Sequence, residues 1–78
     1  MITKEMLDYI GLFSSEQLQY ALRCHYAMFC NGIDPKSGYG LKDIKNLSKT
    51  VMVLLILKIV IECEMEFVSF KAWLNVKK

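Results

Sequence analysis

Apolar and polar positions along the first thirteen residues repeat with a helical period. Met6, Tyr9, Ile10 and Phe13 fall at i, i+3, i+4 and i+7, the stripe of an amphipathic helix. Thr3 is placed to cap its start, and Glu5 lies in the first turn, where the helix dipole favours negative charge. The pattern predicts a helix from Thr3 to about Leu12, weakened near its end by Gly11.

The next start signal is sharper. Ser14-Ser15-Glu16-Gln17 offers Ser14 as N-cap and Gln17 three residues on, a capping box. Phe13 before the cap and Leu18 after it form a hydrophobic staple. This helix should run to about Cys30, with Asn31-Gly32 supplying a left-handed terminus. Leu18, Leu22, His25 and Phe29 form one stripe, and Tyr20, Cys24 and Ala27 lie nearly opposite. So few positions are polar that the helix should be contacted on two faces, as the central helix of a monomer or as an interface helix in an oligomer.

Residues 33–40 read as a loop. Asp34-Pro35 disfavours helix, and Ser37-Gly38-Tyr39-Gly40 is flexible turn chemistry. A third helix is expected from about Leu41, with Leu41, Ile44 and Leu47 apolar and Lys42, Lys45 and Lys49 along one face. Beyond Thr50 two periods compete. Ile59, Ile61, Cys63, Met65 and Phe67 alternate with Glu62, Glu64 and Glu66 as in a strand. As a helix, Ile56, Ile59, Val60, Cys63, Phe67, Phe70 and Leu74 form one wide apolar face. The helical stripe is longer, and a lone strand has no partner elsewhere in the chain, so helix is favoured. A single rod from Leu41 to Leu74 would span about 50 Å at 1.5 Å per residue. Ser48-Lys49-Thr50 is the expected break, with Ser48 or Thr50 capping the next helix. Trp73 should anchor the last turn, and Lys77 and Lys78 form a polar tail.

The resulting expectation is one all-α domain over residues 1–78, a small bundle of about four helices. An intertwined homodimer is one form of it, and an α+β fold with a strand around residues 59–67 is the alternative.

Composition adds one constraint. With 78 residues and 54% of them hydrophobic, the chain has too little interior to hide all its apolar surface. Part of that surface should meet another protein chain or a membrane. Val51 to Ile61 is the most apolar run, but it is short for a span of about 20 residues and Lys58 interrupts it. A buried core element is the simpler reading, with membrane insertion of residues 51–61 kept as an alternative. No signal peptide is legible at the N-terminus.

Charge and chemistry narrow the function by subtraction. Ten basic and eight acidic residues give a net charge of +2, too balanced for a nucleic-acid footprint. A weak nucleic-acid contact through Lys36, Lys42, Lys45 and Lys49 is the most the lysines suggest. Cys24, Cys30 and Cys63 are an odd number without paired spacing, so reduced thiols in the cytoplasm are the expected state. His25 adjoins Cys24, but helical neighbours diverge by about 100°, so neither a metal nor a nucleophile–base pair is expected there. His25 reads as a core or interface histidine. Glu62, Glu64 and Glu66 read as a solubilising edge rather than paired acids. No phosphate loop, nucleophile elbow or cofactor motif is present.

The reading is therefore a non-catalytic interaction module, an inhibitor, adaptor or regulator that docks an apolar and aromatic surface on a partner protein. A compact, capped domain without a catalytic constellation is how stand-alone inhibitors from phages or mobile elements tend to look. Tyr20, Tyr26, Met28, Tyr39 and Trp73 are the candidate anchors, since aromatics and methionine dominate interface cores.

Overall fold

The computed structural model describes residues 1–75. Lys77 and Lys78, expected to form the polar tail, lie outside the described residues. Among the described residues four α-helices run in the order α1 (Lys4–Ile10), α2 (Ser15–Phe29), α3 (Lys49–Glu62) and α4 (Phe67–Leu74), with a short 3-10 turn at Ile44–Asn46 before α3. The all-α expectation holds. The segment 59–67 joins no strand, because its first part completes α3 and its last residue opens α4.

The helix starts are the ones the sequence specifies. The Thr3 hydroxyl accepts from the Met6 N–H at 3.2 Å. Ser14 and Gln17 complete the reciprocal box, with the Gln17 N–H donating to Ser14 Oγ and the Ser14 N–H to Gln17 Oε1. Ser48 caps α3 by accepting from the Val51 N–H at 3.2 Å. Each bond satisfies a donor that the first turn of a helix leaves unpaired.

The third and last helices differ from expectation. Residues 41–48 do not form an α-helix. The chain turns at Leu41 to Asp43, makes three residues of 3-10 helix, and is extended by Leu47. Only seven residues separate the end of the loop from the Ser48 cap, and only Ile44 is fully buried among them. That is too little burial to hold an isolated helix of this length. The helix expected to run to Leu74 breaks at residues 63–66. Glu64 adopts φ of 51° there, the Met65 N–H donates to the Val60 carbonyl at 3.0 Å, and the Glu64 N–H to that of Ile61 at 3.2 Å. This is a Schellman terminus built without glycine. The break folds α4 back, and the longest dimension of the molecule is 30 Å, so the unbroken rod does not exist.

One cluster of buried side chains forms the core. Met6, Ile10 and Phe13 come from the first helix and its end, and Leu18, Ala21, Leu22 and Tyr26 from α2. Ile44 plugs in from the 3-10 turn, Met52, Leu55, Ile56, Ile59 and Val60 come from α3, and Phe70 and Leu74 from α4. The α2 helix is central, packing against α3, α4 and the 3-10 turn. Tyr9 fastens α1 to α4: its ring meets Phe13, Phe67 and Phe70 edge-on, with centroids 5.2, 5.8 and 6.3 Å away. The Asn75 amide donates to the Tyr9 hydroxyl.

The loop is more organised than its composition suggests. Ile33 and Gly40 form an antiparallel bridge. The Asp34 N–H donates to the Tyr39 carbonyl and the Gly38 N–H to that of Asp34, both at 2.8 Å. The buried Asp34 carboxylate accepts from the Lys36 N–H at 3.1 Å and the Ser37 hydroxyl at 2.8 Å. Burial alone would raise this carboxyl. The bonds from Ser37 and Lys36, with the charge of Lys58, outweigh that and hold it below its ordinary range.

Candidate functional site, an apolar groove at the end of α2

At 100° per residue, His25 and Phe29 fall within about 20° of Leu18 on the helical wheel. They therefore lie in the same sector of α2 that carries the core. Leu18 and Leu22 are covered completely, whereas Phe29 is 70% exposed. The covering elements diverge before α2 ends. They leave an open groove of about 380 Å³ lined by His25, Phe29, Cys30, Cys63, Met65 and Trp73.

The groove has contributions from three places in the chain. His25, Phe29 and Cys30 come from the last turns of α2, Cys63 and Met65 from the α3–α4 break, and Trp73 from α4. The His25 ring lies 5.2 Å from Phe29 and 5.9 Å from Trp73, the latter edge-on. Burial pulls the imidazole below its usual pKa, and the nearby Asp34 and Glu62 carboxylates offset only part of this. A neutral imidazole suits an apolar surface. Met28, 73% exposed, adjoins Phe29 on the outer side of α2. Across the mouth of the loop, Lys36 Nζ reaches Glu62 Oε2 at 2.6 Å and ties the loop to the end of α3.

The residues expected to meet a partner are distributed unevenly. Trp73 lines the groove, half-buried, and Met28 is exposed beside it. Tyr39 is exposed on the loop. Tyr20 is half-buried on α2 near Cys24, away from the groove; desolvation and that thiol raise its hydroxyl. Tyr26 is not a surface residue. It is 1% exposed, because the loop and α3 close over the edge of α2 on which it stands. Its hydroxyl is sealed near Ser37 without completing a well-aligned hydrogen bond. Lys36, Lys42, Lys45 and Lys49 are all exposed. They share no helix face, because the helix meant to align them is absent and Lys36 is paired with Glu62.

Sequence reasoning missed Phe29, Met65 and the two groove cysteines as neighbours. The helical stripe through Leu18, Leu22, His25 and Phe29 was the available signal. What it lacked was the position at which the covering helices end. Among the described residues no group of three or more His, Cys, Asp or Glu side chains is placed to hold a metal ion. No helix among them is long and apolar enough to cross a membrane. No protein-family model matches the chain, and neither does any curated protein or solved structure.

Proposed function

We propose that the protein is a docking module, an inhibitor, adaptor or regulator, which seats an apolar side chain of a partner protein in the groove at the end of α2. The observation that carries this reading is the uncovered continuation of the core-facing sector of α2. Phe29 lies in line with Leu18 and Leu22 yet is 70% exposed. An aromatic held in that position is a site where apolar area is already ordered and only a partner is missing. The lining also matches the composition of interface cores, with Trp73, Phe29 and Met65 around a neutral histidine. The rigid backing of α2 lowers the ordering entropy that binding must overcome.

Site-specific photocrosslinking in cells tests the reading. A photoreactive residue replaces Phe29 in one chain and Leu12, 78% exposed at the other end of α2, in a second. The reading predicts one defined heterologous adduct from Phe29, none from Leu12, and loss of the adduct when Trp73→Ala is added. Equal labelling from both positions, or none from Phe29, overturns it. An adduct of twice the chain mass overturns the partner protein in favour of a second copy.

A further inference from the structure

We infer that Cys30 and Cys63 are a redox-modification site, a dithiol that a peroxide converts to an intramolecular disulfide across the groove. Both cysteines line the same groove of about 380 Å³. Each occupies the same place in its helix: Cys30 is the C-cap of α2 and Cys63 the C-cap of α3. Each is followed by a residue turned to φ of 51°, Asn31 and Glu64. The ends of α2 and α3 meet at one groove, and the bridge requires that the two Cα atoms come within about 7 Å of each other. The thiols also sense each other, since charge on Cys63 raises the Cys30 thiol, after burial and the Asp34 and Glu62 carboxylates.

The surroundings assign the order of events. Cys63 is exposed and Cys30 is half-buried, so the peroxide meets Cys63 first. The Cys63 thiolate attacks one peroxide oxygen and the O–O bond breaks. The departing oxygen takes a proton and leaves as water or alcohol, and Cys63 becomes a sulfenic acid. The Cys30 sulfur then displaces the hydroxyl from Cys63. The S–S bond forms, and that hydroxyl leaves with the Cys30 proton as water. Two sulfurs lose two electrons in all, and one peroxide gains them. Cys24, half-buried near Tyr20, takes no part.

This pair does not depend on the groove having a partner, and its test uses none. The full chain is treated with one equivalent of hydrogen peroxide at high dilution. It is then unfolded, alkylated and weighed whole, and digested to map the linkage. The expected product has lost two hydrogens, takes one alkyl group instead of three, and yields a Cys30–Cys63 linked peptide. Cys24→Ser leaves the bridge intact. Cys30→Ser instead traps a dimedone adduct on Cys63. Three alkylated thiols after treatment, a bridge involving Cys24, or only chain-to-chain disulfides would each overturn the proposal. Circular dichroism of each variant before oxidation confirms that a lost bridge is not lost folding.

Discussion

The imidazole of His25 meets the indole of Trp73 edge-on, with centroids 5.9 Å apart and ring planes at 78°. The imidazole there is partly desolvated. Burial lowers the His25 pKa below its ordinary 6.5, so the unfolded chain binds the proton more readily than the folded one. Stability should therefore fall as pH drops through about 6.5 and continue falling until the folded pKa is passed. His25→Phe should flatten the stability profile between pH 7 and 5, measured by urea denaturation. An unchanged slope would remove His25 from the account.

Phe29 and Phe70 separate exposed from buried aromatic residues. Phe70 is fully covered and Phe29 is not. Phe70→Ala should cost about 3–5 kcal/mol. Phe29→Ala should cost less than about 1 kcal/mol and reduce binding of a hydrophobic dye. Thermal and chemical denaturation of the two variants gives the comparison, and equal losses would show that Phe29 is a core residue.

Tyr26 buries a hydroxyl that completes no well-aligned bond. A buried polar group left in that state costs about 1–3 kcal/mol. Tyr26→Phe removes the group and keeps the ring, so it should leave stability unchanged or raise it by about 1 kcal/mol. A clear loss of stability would mean that the hydroxyl has a working partner, and Ser37 is the residue to test next.

Glu64 occupies the left-handed position of the α3 terminus at φ of 51°, where a side chain costs about 1–2 kcal/mol. Glu64→Gly relieves that strain and adds freedom to the unfolded chain, for a net gain of about 0.5–1 kcal/mol. In a domain of this size that is an increase in Tm of several degrees, on the order of 4–8 °C per kcal/mol. Glu64→Val should lower Tm.

Asp34 organises the loop through its bonds to Lys36 and Ser37. Asp34→Ala should destabilise the protein by about 1–3 kcal/mol and speed hydrogen exchange at the Lys36 amide. Because its folded pKa is lowered, the stability that Asp34 contributes is present above its unfolded value, about 3.9, and lost as pH falls through the folded one. The window lies below that of His25, so the two effects separate in an acid titration.

Helix starts were legible because capping is local. Thr3, Ser14 with Gln17, and Ser48 each bond within three residues of themselves. The α3–α4 break was not legible, because no glycine, proline or asparagine marks it. Glu64 is driven into the left-handed region by the return of Phe70 and Leu74 to the shared core, and that packing is long-range. The same limit hid the groove. Periodicity placed His25 and Phe29 on the core face correctly, but where that face loses its cover depends on elements more than thirty residues away. Tyr26 reversed for a related reason: it stands at the edge of the apolar sector, and only the folded loop decides whether that edge is wet.

The bridge between Ile33 and Gly40 closes the loop at its neck. A side chain at Gly40 would strike the Gly32 carbonyl, the Ile33 side chain and the Ile33 backbone, whereas at Gly38 nothing lies within 4 Å. The neck fixes the geometry that the helices experience, and beyond it Lys36 ties the near arm of the loop to Glu62 of α3, while the position a Cβ would take at Gly38 faces open space. Enlarging a closed loop adds only about 0.6 kcal/mol per doubling of its length. The junction just after Gly38, which keeps Gly38 in its left-handed conformation and leaves the Asp34 bonds to Lys36 and Ser37 on one side and the Gly40 neck on the other, is therefore the port at which a fluorophore, an affinity tag or a short foreign sequence disturbs the four-helix body least.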